Sequence, residues 1–444
     1  MTSEQAVPAL PPESPATPRP ARLDDAPGTA GQQRGPASQY SVRRHNLALT
    51  LQHVSTAGTT SRAQLANATG LTKATVTSLV AELIDARLLI ERGSQASGRT
   101  GRPGMMLSVN QQGHVGLGLE INVDYMAACV TDLAHNVRYH EVERRENRAE
   151  PASVLDHLAG LAAAALAWAG APQSPGVGLA GVAVALPGIV DPVTRTLRNA
   201  PNLGWADLPI TEMLATRLGC APERVSVDNE ANLAALGELW VGEGARWGEY
   251  IYVSAETGIG AGVITGGSVY RGAHGSAGEI GHVTLDPSGP SCGCGGRGCV
   301  ERLAGQEAIV DAVGLPADTL ATRAGDPHAP VRKVREALEE GQPRALQALR
   351  QAGASLGAGL ANVVNVIDPD TIVLGGIYAQ LLPWLEEPLS EALQRQAITA
   401  RSALPTMPTV TAATLGNEAA VRGASALVIQ QILDDPLGTV SSRS

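Results

Sequence analysis

The chain contains no phenylalanine, and all its aromatic residues together make up only 3% of it. Its cores must therefore be built from Ala, Val, Leu and Ile. Fifty glycines imply many tight turns and places where one backbone passes close to another. With 444 residues, of which 44% are hydrophobic, the chain can form two or three domains with sizeable cores.

The net charge is −10, which taken alone argues against a nucleic-acid partner. The total conceals an asymmetry. Between Ser41 and Asn110 stand eight basic residues (Arg43, Arg44, Arg62, Lys73, Arg87, Arg92, Arg99 and Arg102) against Glu82, Asp85 and Glu91, a net of +5. A basic stretch in an acidic chain points to nucleic-acid contact. Residues 1–40 are rich in Pro, Ala, Ser and Gly without apolar periodicity, and read as a disordered tail. No basic patch followed by an apolar run marks a signal peptide. The Ala-rich stretch 154–169 carries Asp156 and His157 and reads as a packed helix rather than a membrane span. The expected location is the cytoplasm, with no membrane partner.

Residues 41–112 carry the pattern of a winged helix-turn-helix. Leu47, Leu51 and Val54 have helical spacing. Ser61 is an N-cap with Gln64 in the reciprocal position, Gly70 breaks the short helix, and Thr72 caps a third one running to Arg87. Two strands around 88–92 and 105–109 enclose a Gly-rich loop. The third helix would enter the major groove of double-stranded DNA by its start, where Thr72, Lys73, Thr75, Thr77 and Ser78 can reach base edges and phosphates. Arg99 and Arg102 in the wing suit a narrow minor groove or flanking phosphates. A plain three-helix bundle is the simpler alternative, but the turn, the polar helix start and the basic wing coincide.

The remainder, 113–444, alternates strands and helices. Strands at 115–119, 126–131 and 137–142, then a helix and a strand at 178–185, are followed by a second set at 250–255, 261–265 and 267–270. Helices at 345–367, 382–395 and 418–432 alternate with strands at 371–374 and 409–412. The recurrence predicts two similar α/β halves facing a cleft.

Within the motif 282–299, His282 and the cluster Cys292-Gly-Cys294-Gly-Gly-Arg-Gly-Cys299 offer three thiolates and one imidazole, a closed tetrahedral set for Zn2+. A closed set leaves no position for a catalytic water, so the expected role is structural. A DNA-reading zinc finger is disfavoured, because no basic recognition helix follows. Cys129 and Cys220 read as core residues.

Residues 272–282 (Gly-Ala-His-Gly-Ser-Ala-Gly-Glu-Ile-Gly-His) followed by 292–301 (Cys-Gly-Cys-Gly-Gly-Arg-Gly-Cys-Val-Glu) closely resemble the signature of the ROK family (repressors, open reading frames and sugar kinases). Leu186-Pro-Gly188, Asn199-Ala-Pro-Asn-Leu-Gly-Trp205 and Val227-Asp-Asn-Glu-Ala-Asn232 fit the same family. The resemblance runs from about Gly113 to the C-terminus, and the N-terminal winged helix matches the regulator branch. It implies an actin-like, hexokinase-like pair of lobes with a sugar in the cleft, held by the Gly188 loop, Asn229, Glu230, Glu279, His282 and Glu301. His282 would bind zinc through one nitrogen and approach the sugar with the other. Asn199 and Asn202 read as loop-shaping residues.

Two departures from the kinase pattern are visible. Where kinases of this family have Asp-x-Gly-Gly-Thr, this chain has Glu120, Ile121, Asn122, Val123 and Asp124. Its second phosphate loop, Glu256-Thr-Gly-Ile-Gly260, also carries an added acid. Where kinases use Asp as the base, Glu230 stands. The expectation is a sugar-responsive transcriptional regulator and not an enzyme: a homodimer or homotetramer released from its operator by sugar. The alternative is an active ATP-dependent sugar kinase with a fused DNA-binding domain.

Overall fold

Our computed structural model describes residues 39–94, 105–169, 177–315, 329–401 and 406–441. Leucines and valines at helical spacing fold the first stretch into α1 (Gln39–Ala57), α2 (Arg62–Thr69) and α3 (Lys73–Asp85). The Ser61 side chain accepts from the Gln64 amide while the Gln64 side chain accepts from the Ser61 amide, closing both ends of the capping box. Gly70 ends α2 at φ 71°, and Thr72 caps α3 through the Thr75 amide. The strands β1 (Thr60–Ser61), β2 (Leu89–Ser94) and β3 (Met105–Val109) pair in the order β1-β3-β2. This is a winged helix-turn-helix. Helix α1 begins at Gln39, two residues inside the segment expected to be tail. Residues 1–38 and the wing tip with Arg99 and Arg102 lie outside the described residues.

The next two sheets share one topology. In the first, β4 (His114–Ile121), β5 (Tyr125–Asp132) and β6 (Val137–Arg144) form an antiparallel meander. Helix α4 (Pro151–Ala169) leads into β7 (Gly178–Leu186), parallel to β4. A small three-stranded sheet of β8 (Ile189–Val190), β9 (Leu197–Ala200) and β10 (Trp205–Leu208) and helix α5 (Ile210–Leu218) then precede β11 (Val225–Asn229), parallel to β7. Helix α6 (Glu230–Trp240) crosses to the second sheet: the meander β12 (Tyr250–Ala255), β13 (Ile259–Thr265), β14 (Ser268–Val269). Helices α7 (Val300–Ala304), α8 (Gln306–Val313), α9 (Ala329–Glu339) and α10 (Pro343–Ile367) follow. Then come β15 (Thr371–Gly375), α11 (Gly376–Gln396), β16 (Thr409–Ala412), α12 (Ala419–Asp434) and α13 (Pro436–Ser441). The orders β6-β5-β4-β7-β11 and β14-β13-β12-β15-β16 match strand for strand, three antiparallel and then two parallel. The repeated halves expected from the strand pattern are therefore present, and the fold is the two-lobed actin-like one.

The central strands of both five-stranded sheets are buried on both faces. The outer face of the first packs on α4 and α5, and that of the second on α7 to α11. The apolar length of α4 is sufficient for a membrane span, but Val154, Leu155, Leu158, Leu161 and Ala162 face the first sheet's core. Between the sheets lie α12, against the first, and α6, against the second. No ring separates them. A Cβ on Gly423 of α12 would sit 1.8 Å from the Leu233 carbonyl oxygen of α6, and one on Gly237 of α6 would sit 2.6 Å from the Ala419 carbonyl. Gly118 in β4 likewise lies under the Val421 carbonyl of α12, 2.2 Å from where a Cβ would be. The glycines bring backbone against backbone where a larger residue would hold the layers apart.

The winged helix and the body share a core. Leu47, Leu51 and Val54 of α1 pack in one cluster with Ile429, Ile432 and Leu433 of α12. Gln52 donates to Asp434 (2.9 Å) and Arg44 pairs with Asp435 (3.1 Å). The turn after α3 is tied to the first strand of the body, with His114 Nε2 2.9 Å from the Ala86 carbonyl and Asn110 Nδ2 3.0 Å from that of Arg87. Gln39–Ser444 accordingly form one compact unit, with no linker at the boundary expected near residue 112.

Substituting Gly423→Ala forces apart two main chains and is expected to cost about 3 kcal/mol or more in urea unfolding. Gly160→Ala, at an exposed position of α4 with nothing within 4 Å, is expected to gain about 0.5–1 kcal/mol. Equal effects at the two sites would contradict the close-approach account.

Candidate functional site

A cleft with about 100 Å3 of free space opens between the lobes. Gly188, Asn229, Glu230, Glu279, His282 and Glu301, all six of the residues implied by the family resemblance, line it. Asn202, expected to shape its loop, lines it too. The strand–helix junction β11–α6 supplies the floor. Asn229 is the N-cap of α6: its Oδ1 accepts from the amides of Ala231 (2.8 Å) and Asn232 (3.2 Å), and its Nδ2 donates to the Gly188 carbonyl (2.9 Å). Its amide therefore fastens the Gly188 loop to the helix start and keeps one N–H for a ligand. Gly188 has φ 130°, and a Cβ there would lie 2.4 Å from the Asn199 carbonyl. Only glycine satisfies both demands.

Sequence reasoning missed the pair that joins the two sides of the cleft. Asp228, buried at the end of β11, takes the Arg271 guanidinium through both Nε (2.8 Å) and Nη2 (2.5 Å). Its other oxygen receives the Asn229 amide (2.8 Å) and Asn232 Nδ2 (3.1 Å). Arg271 opens the loop that carries Glu279 and His282, so this ion pair sets one lobe's loop against the other lobe's strand. The signal was an Arg directly before the Gly272 motif.

The metal set is assembled. His282, Cys292, Cys294 and Cys299 place one ligand atom each within 4.8 Å of all the others. Cys292 Sγ is 3.7 Å from His282 Nδ1, and Cys294 Sγ is 3.7 Å from Cys299 Sγ. A tetrahedral ion with metal–sulfur bonds of about 2.3 Å needs edges of roughly 3.8 Å, so the donors fit one. The knuckle closes through Cys292 N–H to the Gly296 carbonyl (2.9 Å), and Gly298 passes the Asp286 carbonyl where a Cβ would be 1.8 Å away. With Nδ1 turned to the thiols, Nε2 of His282 faces Glu279 at 3.8 Å in the cleft. Glu301 is held by the Ile259 amide (3.0 Å) on one oxygen, while the other lies 3.8 Å from Cys292 Sγ.

Three carboxylates, those of Glu120, Glu230 and Glu256, line a pocket on the α12 side of the cleft. Glu120 is 2% exposed, and its Oε1 accepts from the Tyr125 hydroxyl (2.6 Å). Glu256 accepts from Asn122 Nδ2 (2.7 Å). Burial pushes the Glu120 carboxyl up to about 8, helped by the nearby Glu256 charge. Burial, with Asp124 beside it, raises Glu256 to about 7. Glu230 is driven well above the carboxylate range by burial and then by Glu256, Glu120 and Glu279. Glu279 is raised by burial, partly offset by His282.

On the winged helix, Thr72, Lys73, Thr77 and Ser78 are exposed at the start of α3, and Thr75 is half-buried. The Thr75 hydroxyl sits 2.9 Å from that of Thr72, and Thr77 donates to the Lys73 carbonyl (2.8 Å). Arg43 of α1 pairs with Glu82 and reaches Ser78, neutralising an acid on the exposed face of α3.

The sequence pattern of the ROK family matches residues 116–431. The chain belongs to the ROK family. Among ROK proteins it is 31% identical to the xylose repressor of Bacillus subtilis (strain 168) over 400 residues, covering 90% of this chain and 98% of that one. The crystal structure of a ROK family transcriptional regulator, a homologue of the E. coli MLC protein, superposes with TM-score 0.74 at 25% identity, over 90% of this chain and 99% of that one. A ROK glucokinase from Streptomyces griseus, in complex with glucose and AMPPNP, superposes with TM-score 0.59 at 28% identity. That match covers 71% of this chain and 99% of the glucokinase.

The raised carboxyls fix the sign of a pH effect. Folded Glu120 and Glu256 hold protons that the unfolded chain releases near pH 4.5, so folding is favoured below that value. Their contribution is lost as pH rises through about 7 and 8. Melting temperature is expected to fall between pH 6 and 8.5, and Glu120→Gln should flatten that fall. An unchanged slope in the variant would remove Glu120 as its source.

Proposed function

We propose that this ROK protein is a transcriptional repressor that binds operator DNA through α3 and the wing and is released by a small sugar in the interlobe cleft. The observation that carries this reading is the path from cleft to DNA module. Helix α6 begins at Asn229 and Glu230 in the cleft wall, crosses α12 at Gly237 and Gly423, and α12 ends in the core of the winged helix. Likeness to the xylose repressor over 90% of the chain supports the same reading.

In this scheme Glu230, Glu279 and Glu301 accept from sugar hydroxyls, and the remaining N–H of Asn229 donates. A sugar touching both lobes favours one closure angle. Because α12 is keyed to α6 by backbone contact, a change in closure displaces its C-terminal end and with it α1. In a homodimer or homotetramer this alters the spacing of two recognition helices. A hundredfold loss of DNA affinity requires the sugar to prefer the released state by about 2.7 kcal/mol. Thr72, Lys73, Thr75, Thr77 and Ser78, with Arg99 and Arg102, are the proposed DNA contacts.

The metal we assign to His282, Cys292, Cys294 and Cys299 is a structural Zn2+. It would fix the His282 ring so that Nε2 faces the sugar. Phosphoryl transfer is not part of the proposal. Glu120, Asn122 and Val123 stand where the resemblance implies a phosphate loop, and Glu120, Glu230 and Glu256 line one pocket that has no basic side chain in its wall. The likeness to a glucokinase favours the second reading, a kinase with an attached DNA-binding module. That reading requires sugar-dependent release of ADP.

Fluorescence anisotropy with DNA from upstream of the protein's own gene, titrated with D-xylose, D-glucose and N-acetylglucosamine, tests the regulator. At least one sugar is expected to weaken binding. Glu279→Ala should abolish the response while leaving DNA affinity intact. Lys73→Ala should weaken DNA binding with or without sugar. Firm DNA binding that no sugar alters would sink the sensor claim, and ADP release at the rate of ordinary sugar kinases would establish the rival.

Metal analysis is expected to find one zinc per chain, absent from Cys299→Ala. Loss of the metal should weaken sugar binding by roughly 10–100-fold. A metal-free variant with unchanged sugar affinity would leave His282 without its proposed dual role.

A further inference from the structure

The loop that carries Glu279 and His282 touches both lobes in turn. It leaves the second sheet after β14, where the Tyr270 amide donates to the Val263 carbonyl (2.7 Å). The Arg271 guanidinium then crosses to Asp228 at the end of β11, in the first lobe. Gly275 rests on β8 of that lobe: it has φ 77°, and a Cβ there would lie 2.1 Å from the Val190 carbonyl oxygen. Gly278 and Gly281 bring the chain back to β13, where their Cβ atoms would lie 2.2 Å and 2.5 Å from the Ala261 and Ile259 carbonyl oxygens. The Ala277 amide closes the loop on the Arg271 carbonyl (3.1 Å). Residues 271–281 thus form a strap that starts on one lobe, is pinned to the other, and returns.

The glycine contacts allow close approach but supply little attraction. The ion pair supplies it. Asp228 is 6% exposed, so its charge is screened little by water. Arg271 Nε and Nη2 both donate to Asp228 Oδ2, which fixes the plane of the guanidinium. Asp228 Oδ1 receives the Asn229 amide and Asn232 Nδ2, at the first turn of α6. One carboxylate therefore holds the Asn229 wall of the cleft and, through Arg271, the strap that bears Glu279 and His282 on the other wall. A lysine at 271 would bring the charge but only a freely turning ammonium in place of the fork.

We propose that Asp228 and Arg271 are positioning residues of the sugar site. Neither lines the cleft, and together they pin the strap so that Glu279 and His282 stand across it from Asn229. Without the pair the strap keeps its anchors on β13 but loses its hold on β11, and the two walls no longer share a fixed spacing. The effect on sugar rests on the sugar-sensor reading; the pinning of the strap does not.

Two measurements on the full-length protein test it. In hydrogen–deuterium exchange without sugar, Arg271→Met is expected to speed exchange across 272–281 by about tenfold or more, with β12 and β13 unchanged. In calorimetric titration with D-xylose, D-glucose and N-acetylglucosamine, a sugar that the unaltered protein binds is expected to bind about tenfold or more weakly to Arg271→Met and to Asp228→Asn. Both variants should keep their zinc and their sugar-free DNA affinity. Asp228→Asn combined with Arg271→Met should bind the sugar no worse than the weaker-binding single variant, because both changes remove one contact. Arg271→Lys should recover part of the loss. A merely structural pair would lower the melting temperature and leave sugar affinity within twofold, which would overturn the proposal. Additive losses, or faster exchange throughout the protein, would overturn it too. If the single variants fail to fold, the double variant, which buries no lone charge, and Arg271→Lys carry the comparison. If the unaltered protein binds none of the sugars, the sensor reading fails and exchange alone decides. Acceleration confined to the strap then upholds the pinning, and unchanged exchange overturns it.

Discussion

The contact on which the rest depends is the crossing of α6 and α12 at Gly237 and Gly423. Each helix belongs to one lobe by packing, and the two form the layer between the sheets. A layer of interdigitated side chains can take up a displacement by changing rotamers. Backbone laid on backbone has no such layer to give, so the two helices move together when the lobes shift. An enzyme and a sensor need the same property at this joint. What differs is what the far end of α12 touches, and here it touches α1.

The electrostatics of the cleft follow from the same scaffold. The sugar side is held in place by groups that already spend their bonds on structure. Asn229 caps α6 and ties down Gly188, Glu301 is fixed by the Ile259 amide, and Asp228 is bound by Arg271. The side toward α12 carries acids with bonds to spare. Glu120, Glu230 and Glu256 raise one another's proton affinity because their charges share one low-dielectric space. A triphosphate would add like charge to that space with no basic side chain in the cavity wall to offset it.

Much of this was legible in the residues. Short apolar runs located both meanders, the Ser61–Gln64 capping box located α2, and the Cys/His spacing located a metal set that does assemble. The cleft-lining residues were legible only through resemblance, because nothing in a local pattern says that Glu279 and Glu230 will meet across a cleft. Three features were hidden for physical reasons. The strands β8 to β10 are two to four residues long, too short for periodicity. Helix α11 was expected to begin at Leu382. It begins at Gly376 and runs through both Pro383 and Pro388, and Gly353 of α10 leaves room for the Pro388 ring (2.7 Å from where its Cβ would be). Tertiary packing there outweighs the lost backbone bonds. The fusion of the winged helix with α12 joins residues almost 400 apart in sequence, through a core that neither segment announces alone.

That fusion bears on why a chain with no phenylalanine suits a sensor. A signal from cleft to DNA must cross α6, α12 and α1 without being absorbed by side-chain rearrangement. Large rings and long flexible side chains provide slack, because they repack. Ala, Gly, Val and Leu at the α6–α12–β4 contacts provide little, and carbonyl oxygens of one element sit where the Cβ of the next would be. A displacement at the start of α6 is therefore passed to α12 as movement of main chain. At the other end, the pairs Gln52–Asp434 and Arg44–Asp435 and the leucines of α1 hold the DNA module to that same main chain. Small residues give the cleft little separate core of its own, and for the same reason they leave the motion of its walls nowhere to go but outward.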